Sequence, residues 1–169
     1  FGAMQQLRSN NLDIYHGLTN QLPRSIRRLN IPLVTTIHDL YYLHYPELCQ
    51  NDLGQQDDLK KLNQELKEAC YRSEKIIAVS ESTKKDIVDQ FSVSPEKITV
   101  IYQSCDPGYF EKFTEEKIYE VKEKYNLPDK YLLYVGSMTE RKNLLSIVKA
   151  IDLVPISERL PLVVIGART

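Results

Sequence analysis

Between an apolar run at 131–135 and a helix-period segment carrying Leu144, Val148 and Ile151, the chain reads GSMTERKN, from Gly136 to Asn143. Cations are disfavoured at the partially positive N-terminus of a helix unless an anion meets them. Gly136 lets the backbone turn closely out of the strand, and Asn143 is a good N-cap residue. Arg141 and Lys142 then stand just before the cap, beside free backbone amides. Helix dipole, amides and two cations make a site for a doubly charged anion such as a diphosphate. A plainer arrangement fits the spacing at least as well: both side chains in water, with Glu140 pairing one of them for little energy.

Open parallel sheets bind ligands at the carboxyl ends of their strands. The residues that follow the apolar runs are His16 and Gly17, His38 and Asp39, Ser80, Gln103 and Ser104, and Gly136 and Ser137. A histidine at a strand end beside an aspartate suits a general base, a donor to a sugar hydroxyl or a phosphate contact. His38 equally suits a purely structural role, fixing the loop LYYLHYPE that follows it. His16, His38, Asp39 and His44 show no recognised metal-ligand spacing, and no G-x-S-x-G nucleophile elbow is present. Tyr41, Tyr42 and Tyr45 suit a sugar-lining cluster or the packing of a long loop. Arg24, Arg27 and Arg28, on a short predicted helix, suit an anionic headgroup or simply a solvated face.

The elements that must position these residues are legible as alternating periods. Leu33–Ile37, Ile76–Val79, Ile98–Tyr102, Tyr131–Val135 and Leu162–Ile165 are short and rich in β-branched or aromatic residues, as strands buried on both faces read; Asp13–Tyr15 is a weaker sixth. Leu59, Leu62 and Leu66, Ile87 and Phe91, Ile118, Val121 and Tyr125, and Leu144, Val148 and Ile151 recur at helical spacing. Ser80 or Ser82 is the expected N-cap of the helix carrying Ile87. The alternation predicts an α/β chain with a mostly parallel sheet and helices on both faces. The Pro-Gly pair in YQSCDPGYFEKF marks a connection between two units. A unit with two strands and two helices is small for a core of its own, so the chain reads as a fragment of a longer protein.

Bulk composition narrows the classes. Over 169 residues, 22 Lys plus Arg against 23 Asp plus Glu leave a net charge of -1, which removes the electrostatic case for general nucleic-acid binding. Cys49, Cys70 and Cys105 are odd in number and widely spaced, so neither a disulfide framework nor a zinc site is indicated and a reducing compartment fits. No apolar run approaches the roughly 20 residues that cross a bilayer.

Taken in order, DIYHGLTNQLP, VTTIHDLYYLHYPE, KIIAVSESTKKDIV, EKITVIYQSCDPGYF and YLLYVGSMTERKNLLSIVKAI resemble the successive signatures of group 1 (family 4) glycosyltransferases, particularly the mannosyltransferase-like branch that builds bacterial surface polysaccharides. The resemblance implies the GT-B plan, two Rossmann-like lobes facing across a cleft, both incomplete here. It places the later part of the acceptor lobe at 1–103, a linker at 104–112 and the beginning of the nucleotide-sugar donor lobe at 113–169. It implies a retaining transferase that moves a sugar from a nucleotide-diphosphate sugar to a glycan or lipid-linked acceptor, with no metal or other cofactor.

By the same resemblance Lys142, and Arg141 beside it, hold the donor diphosphate next to Gly136, in a variant that has Ser137 where the family more often has arginine. His38 contacts the transferred sugar or leaving group, and His16, Ser80 and Ser137 line the cleft. The family's Glu-x7-Glu pair would lie beyond Thr169 and its glycine-rich loop before Phe1, so the fragment alone is expected to be inactive. A cytoplasmic setting follows, with peripheral contact at the inner membrane face left open. Two other classes share these features: a non-hydrolysing sugar-nucleotide epimerase and a non-catalytic nucleotide-binding lobe.

Overall fold

The computed structural model describes residues 12–23, 26, 30–48 and 56–166. Arg24, Arg27, Arg28 and Cys49 lie outside these. The chain divides into two compact units, Phe1–Ser104 and Cys105–Thr169.

In the first unit β1 (Tyr15–Gly17), β2 (Leu33–Ile37), β3 (Lys75–Ala78) and β4 (Ile98–Val100) form an all-parallel sheet in the order β1-β2-β3-β4. A single turn of helix, α1 (Tyr41–His44), follows β2, and α2 (Gln56–Arg72) and α3 (Glu81–Phe91) are the crossovers into β3 and β4. α2 is built from good helix formers, and its Leu59, Leu62, Leu66 and Cys70 stripe lies on the core. Its last carbonyls are closed from a distance: the Lys97 ammonium donates to Cys70 O at 2.8 Å and Tyr71 O at 2.9 Å. Ser80 caps α3 by accepting from Thr83 N, and Ser92 ends it in the left-handed conformation.

The core joins Ile37, Leu40, Tyr42, Leu66, Cys70, Ile76, Ala78, Ile87, Phe91, Val93 and Ile98. Each large apolar side chain buried there contributes roughly 1.5–3 kcal/mol. One polar pair sits among them, the Thr35 and Ser73 hydroxyls 2.6 Å apart.

Burial along β2 alternates, with Leu33, Thr35 and Ile37 buried and Val34 and Thr36 only partly so. The strands are therefore not buried on both faces, as their apolar runs led one to expect. α2 and α3 pack on the sheet and touch each other, so these two crossovers share a face. The reason is topological, since successive crossovers of one hand stepping in one direction fall on one side. Two strand ends also move. β1 runs two residues later than the apolar run, which puts His16 and Gly17 inside the strand, and β4 stops at Val100, leaving Ile101 and Tyr102 exposed.

In the second unit β5 (Leu132–Val135) pairs in parallel with β6 (Leu162–Ile165), with α4 (Glu115–Tyr125) before them and α5 (Leu144–Asp152) between. Thr114 caps α4, and Glu115 and Glu116 complement its N-terminal dipole. A hydrogen bond from its own backbone N–H, aided by the Thr114 hydroxyl, holds the Glu116 carboxyl below its ordinary range. Every buried residue described lies between Gly17 and Ile98, so none belongs to this unit. Leu133 is 55% exposed, Val135 68% and Leu145 62%, which leaves an apolar βαβ element with its faces open.

Candidate functional site

His38 is the first residue past β2, and its peptide is held at both ends. Its N–H donates to Asn20 Oδ1 at 2.8 Å, and its carbonyl accepts from Thr83 Oγ1 at 3.1 Å. The other end of the Asn20 amide donates to the carbonyl of Asp39 at 3.2 Å. Thr83 has one hydroxyl proton, already given to His38. In its 2.9 Å contact with Ser80 the Ser80 hydroxyl must therefore be the donor, while Ser80 Oγ accepts from Thr83 N at 3.0 Å. Ser80 thus joins His38 through Thr83, as helix cap and brace together.

The His38 ring is equally constrained. Nε2 lies 2.9 Å from Leu18 O, which can only accept, so Nε2 carries the proton. In the neutral ring Nδ1 is then an acceptor, and the Gln103 side-chain amide donates to it at 3.4 Å. His16 projects from the opposite face of the sheet to the buried helices, with Nε2 2.9 Å from Thr36 Oγ1. It lines an open cavity of about 390 Å³ with Tyr15, Gly17, Leu18, Thr19 and Gln21.

Other candidates are drawn elsewhere. His44 pairs with Asp86 at 3.0 Å. Tyr42 goes into the core and donates to Asn63 Oδ1 at 3.2 Å. Burial, with help from the Cys70 and Asp39 charges, pushes its phenol above the ordinary 10.0. The tyrosines after His38 therefore do not act as one surface cluster: Tyr42 is buried while Tyr45 is exposed. Among the described residues no three His, Cys, Asp or Glu side chains gather as a metal site would require.

In the second unit the strand, turn and helix around Gly136–Asn143 are all formed. Gly136 N donates to Ile165 O at 2.9 Å, and Tyr134 OH donates to Ser137 O at 2.8 Å, folding the turn back on β5. Glu140–Lys142 is one 3-10 turn that places Arg141 and Lys142, both exposed, immediately before α5. Asn143 does not cap α5 as its type led one to expect. It sits at φ 51 and ψ 39 with no side-chain cap bond, because it is consumed as the left-handed terminator of the 3-10 turn. The first amides of α5 are left without a side-chain cap, next to both cations.

A family model described as Glycosyltransferase Family 4 matches residues 1–109. The chain belongs to glycosyltransferase family 4. It is 29% identical over 158 residues to an O-antigen chain mannosyltransferase B of Escherichia coli, covering 92% of this chain and 39% of that protein. It is 23% identical over 157 residues to a serotype-specific mannosyltransferase WbdA of Escherichia coli, covering 90% of this chain and 19% of that protein. A crystal structure of a glycosyltransferase from Rickettsia africae ESF-5 shares the fold at a TM-score of 0.53 and 18% identity, over 99% of this chain and 50% of that one. Both units are thus GT-B-type Rossmann-like α/β pieces, and the chain spans well under half the length of these mannosyltransferases.

For this family 4 chain the candidate residues fall into two groups, each within one unit. His38 is linked to Ser80 and Gln103, and His16 stands on a neighbouring strand. Gly136, Ser137, Arg141 and Lys142 share one strand-turn-helix segment. Asn20 and Thr83 carry no signal in the sequence, because their partners lie 18 and 45 positions away and neither spacing is a motif.

Proposed function

We propose that the protein carrying this chain is a retaining hexosyltransferase that moves a sugar, mannose first among candidates, from a nucleotide-diphosphate sugar to a glycan or lipid-linked acceptor in surface polysaccharide synthesis. The observation that carries the reading is the pairing of Arg141 and Lys142 with the uncapped amides of α5. A helix start that no side chain caps, its dipole and two cations are what a leaving diphosphate needs, because stabilising the charge that develops on it lowers the barrier. His38, with its backbone fixed and its ring oriented, supplies positioning toward the sugar or leaving group. His16 and Ser80 accompany His38 in the first unit and Ser137 accompanies Arg141 and Lys142 in the second, and no dedicated metal or cofactor takes part.

The second unit's open apolar faces and the greater length of the relatives both support a longer protein in which this chain is one portion, inactive alone. Its place is cytoplasmic, with its acceptor met at the inner membrane face; among the described residues no helix is long and apolar enough to cross a membrane.

The test is to incubate that longer protein with GDP-mannose, UDP-glucose and UDP-galactose, with and without an oligomannose acceptor, and follow the sugar by NMR. Transfer with retention of anomeric configuration is expected. Interconversion of sugar nucleotides without an acceptor would make it an epimerase, and nucleotide binding with no turnover would make it a binding lobe.

A further inference from the structure

We propose that Asn20 is the positioning residue of the site: it sets the His38 backbone so that the ring is held as the Nε2–H tautomer and offers Nδ1 to the ligand as an acceptor of a hydroxyl proton. The identity of the ligand, a sugar, rests on the glycosyl-transfer reading above; the tautomer and its dependence on Asn20 do not.

Asn20 bonds the backbone of two consecutive residues of the loop that leaves β2. Its Oδ1 takes the His38 N–H at 2.8 Å and its Nδ2 gives to the Asp39 carbonyl at 3.2 Å. A side-chain amide is matched to this, since it carries an acceptor and a donor a few ångströms apart without charge. Aspartate would keep the first bond and lose the second, and serine is too short to reach both. With Thr83 Oγ1 on the His38 carbonyl at 3.1 Å, three successive backbone groups of a loop are fixed. Fixing them fixes the direction of the His38 Cα–Cβ bond, and through it the ring.

The two ring nitrogens are then unequal. Nε2 is turned back into its own unit and committed to Leu18 O at 2.9 Å. Among the described residues Nδ1 meets only the exposed Gln103 amide, at 3.4 Å, which is long for a hydrogen bond and readily exchanged. A hydroxyl that displaces Gln103 can donate to Nδ1 without disturbing the rest of the network. His38 therefore faces its ligand as an acceptor, and Gln103 keeps that position occupied until the ligand arrives.

The experiment reads the tautomer directly in this chain, labelled with 15N-histidine, from two-bond correlations between ring nitrogens and carbon-bound protons. The wild type is expected to show His38 as Nε2–H, Asn20→Ala to show a mixture of tautomers, and Asn20→Asp to lie between, all with unshifted core methyl signals from Ile76 and Ile87. In the longer protein Asn20→Ala is expected to lower kcat by up to about 100-fold with little change in donor KM, as for a misplaced catalytic group. An Nδ1–H ring in the wild type, or an Asn20→Ala ring unchanged in tautomer, overturns the proposal; so does an unchanged kcat. If the tautomer responds to Asn20 but the longer protein transfers no sugar, the positioning role stands and the glycosyl-transfer reading is what fails.

Discussion

The carbonyl of Gly136 fills the space that a Cβ on Gly166 would need. These residues directly follow β5 and β6, whose ends are tied by the Gly136 N to Ile165 O bond of 2.9 Å. The close approach brings the end of β6 against the turn that leads to Arg141 and Lys142. Gly166→Ala must push the two backbones apart, at a cost of about 1–3 kcal/mol typical of overpacking. Urea unfolding of the longer protein should show a lower midpoint for Gly166→Ala, and nucleotide diphosphate affinity should fall with it. Unchanged values for both would mean that the strand ends separate freely.

The Thr35–Ser73 pair makes a sharper demand on the first unit. The hydroxyls are 2.6 Å apart and buried, so removing either strands the other away from water. Thr35→Val or Ser73→Ala should each cost about 1–3 kcal/mol, and the double variant should cost less than the sum because no orphan remains. A double-mutant cycle by denaturant unfolding measures the coupling. Simple additivity would show that the two groups do not depend on each other.

Alkaline pH should act through Cys70. Burial raises its thiol from 9.0 to about 12, with the Lys97 charge opposing. Below pH 9 both folded and unfolded chains keep the proton and the full stability is present. Between 9 and 12 the unfolded chain releases a proton that the folded chain retains, so stability falls by up to about 1.4 kcal/mol per pH unit. Tyr42, raised from 10.0, adds to the loss at higher pH, while Lys97, lowered from 10.5, works the other way. Cys70→Ala should flatten the alkaline limb of the stability curve. In the native chain iodoacetamide should label the exposed Cys105 and spare Cys70, checked by peptide mass mapping.

Much of the fold is legible in the amino-acid sequence. Compact β-branched runs mark β2, β3, β5 and β6, and apolar stripes at helical spacing mark α2 to α5; in β2, β3, α2 and α3 tertiary burial agrees with that pattern, whereas in the second unit the pattern alone marks the elements. Ser80 is legible as a cap for the same reason. Asn143 misleads because its residue type serves two purposes, and the 3-10 turn before it claims the left-handed one. β1 is displaced because DIYHG is too short for alternation to set its register. The network around His38 has no trace in the sequence, since a side chain that braces a peptide 18 positions away leaves no periodicity. Lys97 closing the end of α2 is hidden in the same way.

The central claim, a donor diphosphate held by Lys142 at the start of α5, is tested most directly by isothermal titration of the longer protein with GDP, UDP and GDP-mannose, repeated on Lys142→Ala. The account predicts binding of one nucleotide that weakens about tenfold or more in the variant, as expected for loss of a charge-assisted contact worth about 1.5–3 kcal/mol. Equal affinity in wild type and variant, or no binding of any of the three, would contradict it.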